Sequence, residues 1–138
     1  MYKLFLDTNV LLDFLISQRE GHQFAQQIIE MTVNDEVAGC ISPVSLLNIF
    51  YILRKQKTEQ ERKDIIESFI EILDIVPVDY DILQLGLFAP VKDYKDGIQY
   101  ICAKKANADF IVSSDKEFEN HNLDMKIISP EGFVRMQS

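Results

Sequence analysis

The sequence is poor in the features that mark secreted, membrane-spanning or phosphate-coating proteins. No apolar run approaches the roughly 20 residues that a helix needs to cross a bilayer. At the N-terminus, Asp7 follows Leu4-Phe5-Leu6 too early for the longer apolar stretch of a signal peptide. Cysteine occurs only twice, Cys40 and Cys102, each among apolar neighbours and without metal-ligand spacing. Both read as reduced, buried thiols of a cytoplasmic protein. His22 and His121 stand alone in predicted loops, where a surface position is a simpler reading than a catalytic base. Basic residues are outnumbered 14 to 22 by acidic ones, for a net charge of −8. That balance argues against a passive nucleic-acid-binding module, since phosphate neutralisation needs Lys and Arg. It leaves room for an enzyme that approaches phosphates through bound cations. Repeats, low-complexity segments and linkers are absent too, and 138 residues suit one domain spanning 1–138.

What is present is a regular alternation of short apolar runs with amphipathic stretches. Residues 3–6 read as a buried strand, closed by Asp7-Thr8-Asn9 at a helix N-terminus. Two helices follow, separated by the polar break Ser17–His22 and ending near Val33. Val37–Ile41 is a second strand, and Ser42-Pro43 opens a third helix that runs out at Arg54-Lys55. Thr58 and Glu61 form a capping box for a fourth helix through about Leu73. Ile75–Val78 reads as an edge strand because Pro77 interrupts it. A short helix over 80–88, another from Asp93 or Asp96 to about Ala106, and strands at 110–112 and 126–128 complete the chain. This order implies a three-layer α/β/α fold, with a central parallel sheet of about five strands flanked by helices.

In open parallel sheets, ligands bind beyond the carboxyl ends of the strands, where strand order reverses. Asp7 follows the first strand and Asp115 the fourth, and Asp96 joins them if its helix starts at the same edge. Each acid alone would serve as an N-cap. Three together would repel strongly unless a cation lay between them, and a hard divalent ion is the natural occupant. The three carboxylates are therefore expected within reach of one shared ion.

These residues also carry a resemblance. Leu-Asp-Thr-Asn-Val-Leu-Leu-Asp at 6–13 resembles the opening motif of PIN-domain ribonucleases, and Asp93-Tyr94-Lys95-Asp96-Gly97-Ile98-Gln99 resembles their third. Ile111-Val112-Ser113-Ser114-Asp115-Lys116-Glu117-Phe118 resembles their fourth. Chain length is similar to that of the compact toxins of bacterial toxin–antitoxin pairs, the VapC type. The resemblance implies that Asp7, Asp96 and Asp115 hold Mg²⁺ or Mn²⁺, with Thr8, Asn9 and Ser113 orienting the acids by hydrogen bonding. It implies a cation that polarises a phosphoryl oxygen and helps generate hydroxide, for in-line hydrolysis of an RNA phosphodiester. Asp93 has two readings, an outer-sphere ligand or the cap of its helix.

The second motif departs from the family pattern. Asn48, within Ile41-Ser42-Pro43-Val44-Ser45-Leu46-Leu47-Asn48-Ile49-Phe50, stands where the family places a catalytic Glu, and no acid occurs between Glu36 and Glu59. Its amide oxygen can still meet a hard cation or a bound water, but the cluster drops from four carboxylates to three. A catalytically silent PIN domain that binds nucleic acid or protein is therefore the competing reading. A receiver-like signalling domain also clusters acids at strand ends, but no Lys follows a late strand in the required context. Position 48 is expected to face the acids, one turn before a buried Ile52. The apolar content of Leu46–Leu53 and Ile65–Leu73 exceeds one helix face and predicts a homodimer through the 43–73 region. The resemblance further implies a small antitoxin protein as partner, and nothing implies a membrane. Arg54-Lys55-Gln56-Lys57, the one compact basic group, reads as a solvated helix end or an RNA grip.

Overall fold

A computed structural model describes residues 1–115, 118 and 123–137. His121 and the Lys116-Glu117 part of the fourth motif lie outside the described residues. Five parallel strands, β1 (Lys3–Leu6), β2 (Ala38–Ile41), β3 (Asp74–Ile75), β4 (Phe110–Val112) and β5 (Lys126–Ile128), form one sheet in the order β3-β2-β1-β4-β5. The chain moves outward from β1 through β2 to β3, then returns to place β4 on the other side of β1. Strand order therefore reverses between β1 and β4, which pair directly, with Leu6 opposite Val112.

Alternation along these short strands divides the core into two layers, as the two-residue period of a strand requires. Leu4, Leu6, Ile41, Phe110 and Val112 face one layer, which holds α1 (Thr8–Leu15), α2 (His22–Val33), α3 (Pro43–Ile52), α4 (Glu59–Ile72) and α7 (Pro130–Gln137). Phe5, Cys40 and Ile111 face the other, built on α5 (Tyr80–Leu87) and α6 (Tyr94–Lys105). The three-layer fold expected from the sequence is present. Both cysteines are free and buried, and burial raises their thiols to about 11 for Cys40 and about 12 for Cys102.

Local signals act where chemistry says they should. Thr58 and Glu61 make both bonds of the capping box at the start of α4. Pro43 opens α3, which tightens at its end into a 3-10 turn over Leu53–Lys55. The third strand is shorter than the expected Ile75–Val78 and starts one residue earlier. The Val76 amide still reaches the Ile41 carbonyl at 2.8 Å, but Pro77 has no N–H with which to continue. The last helix, α7, has no counterpart in the sequence reading. Its signals are Ser129, whose Oγ accepts from the Gly132 amide at 3.0 Å, and Pro130 at the first position. Phe133 anchors it in the core.

Candidate active site

Asp7 leaves the end of β1 at the point of strand reversal, where its own amide bonds the Val112 carbonyl at 2.9 Å. The residue is only 6% exposed there. Ser113, the first residue beyond β4, donates its hydroxyl to Asp7 Oδ2 at 2.9 Å and accepts the Asp115 amide at 3.0 Å. One serine thus ties the acid of β1 to the acid of β4. Burial pushes the Asp7 carboxyl up, bonds from Ser113, the Thr8 amide and Gln99 oppose this, and Asp115 adds repulsion.

Asp96 enters from the first turn of α6. Its carboxyl is pushed up to about 6, first by burial and then by the charges of Asp7, Asp93 and Asp115, with Lys95 opposing. Three acids from distant parts of the chain therefore act on one another at a single edge. Among the described residues, no three acidic, histidine or cysteine side chains lie close enough to hold one ion as they stand. They are in Coulombic reach rather than in coordination contact.

The supporting residues divide. Ser113 bonds an acid directly. Thr8 supports Asp7 through its backbone amide, while its hydroxyl pairs with Ser45 Oγ at 2.9 Å. Asn9 is half-buried, and among the described residues no hydrogen bond joins its side chain to an acid. Asp93 caps α6, with Oδ1 accepting the amides of Lys95 at 2.8 Å and Asp96 at 3.3 Å. The geometry places Asp93 as a cap whose charge Asp96 feels.

Asn48 sits on α3, half-buried, and its Nδ2 is buried without a hydrogen-bond partner among the described residues. Helical spacing puts it on the same face as Ser45, one turn earlier, which touches Thr8 and Gln99. The expectation of a buried Ile52 is corrected. Ile52 is 42% exposed, and Ile49 and Leu53 turn into the core instead.

The sequence reading missed Gln99, Ser42 and Ser45 as parts of the site. Gln99 is 1% exposed, and its Nε2 donates to Ser45 Oγ at 2.9 Å. Its Oε1 accepts from the Ser42 hydroxyl, which fixes the amide so that its N–H groups face Ser45 and Asp7. The available signal was a polar residue inside the apolar stretch Ile98–Cys102.

The donor set fits a hard divalent cation. Asp7, Asp96 and Asp115 present only carboxylate oxygens, and their mutual repulsion is the charge deficit that such an ion relieves. The buried Nδ2 of Asn48, without an acceptor among the described residues, is an N–H₂ donor, so at this residue only the amide oxygen could meet the ion.

The PIN domain family model matches residues 3–117. The chain is 29% identical to Ribonuclease VapC1 of Aquifex aeolicus over 136 residues, covering 95% of this chain and 92% of that protein. Its fold is similar to VapBC2 of Rickettsia felis bound to a promoter DNA fragment, with a TM-score of 0.69 and 13% identity over 92% of this chain and 98% of that one. It is also similar to VapC20 of Mycobacterium tuberculosis, a toxin that cleaves the sarcin–ricin loop. There the TM-score is 0.67 and identity 13%, over 84% of this chain and 92% of that one.

Proposed function

The chain belongs to the PIN-domain family, and from that premise we propose that it is a divalent-metal-dependent endoribonuclease acting as the toxin of a toxin–antitoxin pair. The observation that carries this reading is the set of three mutually repelling acids, Asp7, Asp96 and Asp115, at the edge where strand order reverses. PIN-domain ribonucleases generally need a divalent metal, and Mg²⁺ or Mn²⁺ suits these oxygen donors. Bound there, the ion supplies positive charge at phosphoryl oxygens as negative charge builds on them. The chain's own part is placement. Ser113 holds the Asp7 carboxylate and the Asp115 backbone in one frame, Gln99 and the Thr8 amide steady Asp7 from below, and Asp93 anchors the turn that presents Asp96. Asn48 offers a neutral amide where a fourth charge would otherwise stand.

The test is cleavage of labelled RNA in Mg²⁺ or Mn²⁺, with loss of cleavage in EDTA. A wild-type protein that leaves RNA intact in both metals would end the nuclease reading. Asn48 favours the second reading, a silent PIN domain serving as a binding module, and that reading would then stand.

Partners are part of the proposal. Leu47 (71% exposed), Tyr51 and Ile70 present apolar surface on α3 and α4, which supports a homodimer through the 43–73 region. A second apolar strip along α5, from Tyr80 to Phe88, leaves surface for a small antitoxin protein. Arg54 stacks over the Tyr51 ring at 3.7 Å, so the basic group belongs to this protein-facing surface more readily than to an RNA grip. No described helix is long and apolar enough to cross a membrane, and a single domain working in the cytoplasm completes the reading.

A further inference from the structure

We propose that the cleft between the α1–α2 turn and the start of α7 binds a backbone phosphate of RNA next to the one cleaved, with Arg19 as the anion-binding group. The inference rests on the ribonuclease reading and extends it to a residue outside the acid cluster.

The cleft, of about 420 Å³, is lined by Arg19, Gly21, Phe24, Ser114 and Ser129 among others. Ser114, which lines the cleft, immediately precedes Asp115 in the chain, so the two share one loop beyond β4. Among the described residues, Arg19 is the one cationic side chain lining it. Its Nε donates to Asp13 Oδ1 at 2.7 Å, and Asp13 is buried while Arg19 stays 37% exposed. A carboxylate held on Nε fixes the plane of the guanidinium. Among the described residues the two terminal nitrogens have no acceptor, and they form the fork that suits a phosphate.

The surrounding chain is built to hold Asp13 in that position. Ser114 Oγ donates to Asp13 Oδ2 at 3.4 Å, and His22 Nδ1 meets the Asp13 carbonyl at 2.9 Å. A Cβ at Gly21 would come within 2.5 Å of Asp13 Oδ2, so glycine leaves the room that the carboxylate occupies. An ion pair this exposed on one side contributes little to stability by itself. As a device for aiming an arginine it has a clear use. Glu20 and Glu131 also line the cleft, but Arg135 engages Glu131 at 3.1 Å, and Glu20 is exposed, where solvent screens its charge.

The experiment measures binding of fluorescein-labelled oligouridylate to the cleavage-dead Asp7→Asn protein across a salt series. Adding Arg19→Gln is expected to weaken binding about tenfold and to reduce the slope of log affinity against log salt by about 0.7, the value for one phosphate contact on a single strand. Arg19→Lys keeps the charge and should preserve the slope while losing affinity through the missing fork. Should Arg19→Gln unfold by leaving Asp13 unpaired, the Asp13→Asn/Arg19→Gln double variant removes that orphan charge and is expected to show the same reduced slope. An unchanged slope in a folded variant overturns this inference and leaves the ion pair purely structural. If the Asp7→Asn parent itself binds no oligouridylate and the wild type cleaves no RNA, the ribonuclease reading falls and takes this one with it.

Discussion

The two edges of the sheet carry the same kinds of residue under opposite electrostatic regimes. At the amino edge, charges are paired as they arise. Lys104 meets Asp124 at 3.0 Å, Tyr100 donates to the same carboxylate, and Asp109 accepts the Lys3 amide at 2.8 Å. The Asp124 carboxyl is accordingly held below its usual range, first by the Tyr100 bond and then by Lys104. At the carboxyl edge, Asp7 is pushed up by burial and by the charge of Asp115, and Asp96 by burial and by the charges of Asp7, Asp93 and Asp115. Gln99 and Tyr100 are neighbours on α6, yet one serves each edge. Acids crowded this closely cost stability, so the contrast singles out the carboxyl edge as the candidate site.

The strongest way to break that contrast is to neutralise one acid from each edge. Asp7→Asn is expected to reduce RNA cleavage by at least about 10³-fold, since several kcal/mol of charge stabilisation would go with the ion. The same change should raise the melting temperature of the metal-free protein, because burial is the largest influence on Asp7 and acts against its charge. Asp124→Asn should do the reverse, leaving cleavage within about twofold and lowering the melting temperature slightly. Thermal melts in EDTA, paired with a cleavage assay, give both readouts. A fall in the melting temperature of Asp7→Asn would mean that its hydrogen bonds outweigh its burial.

Next in size is the adjacent pair on α6. Gln99→Leu strands the Ser42 hydroxyl in the interior, at about 1–3 kcal/mol for an orphaned group, and removes one bond each to Ser45 and Asp7, so it should cost about 2–4 kcal/mol. Tyr100→Phe removes one bond to an exposed carboxylate and should cost about 0.5–1.5 kcal/mol. Urea denaturation of the two variants compares them directly. Equal costs would show that the Gln99 network is not the more demanding of the two.

The same contrast explains what the sequence could reveal. Strands and most helices were legible because apolar period and capping chemistry are local, as at Thr58–Glu61 and Ser42-Pro43. The three acids were legible because parallel topology delivers strand ends to one edge. Gln99 was not, since its meaning lies in Ser42 and Ser45, more than fifty positions away. Nor was α7, whose anchor Phe133 closes a core that only exists once β1 and β4 are paired. Ile52 failed for a simpler reason. Spacing along α3 fixes which residues share a face, but not which of two apolar faces turns inward.

Restoring the family acid sharpens the comparison by adding charge to the crowded edge. Asn48→Glu should tighten Mn²⁺ binding several-fold. A charge about 4 Å from the ion is worth about 4 kcal/mol at an effective dielectric near 20, and a quarter surviving desolvation gives that factor. RNA cleavage should rise, and the metal-free protein should lose stability. Titration calorimetry with Mn²⁺ decides the matter. Unchanged affinity would mean that residue 48 does not face the acids.

The smallest expected effect separates the two edges by pH alone. The folded-state carboxyl of Asp96 lies at about 6, against an ordinary value of 3.8. Between those values the native protein keeps a proton that the unfolded chain has lost. Stability in EDTA should therefore fall as pH rises through that window and level off above it. Asp7 is raised too and acts in the same direction. Asp124 is lowered, so its contribution is intact throughout the window and is lost only as pH drops below 3.8. Asp96 is half-exposed, so solvent screening limits its share to about 1 kcal/mol or less. Urea midpoints at about pH 4.5 and about pH 6.5 measure the difference, and Asp96→Asn should shrink it while Asp124→Asn leaves it alone. Saturating Mn²⁺ should reverse the slope, because the ion competes with protons for the same oxygens. A wild type whose metal-free stability rises with pH across this window would show that its acids are not crowded, and the distinction between the edges would collapse.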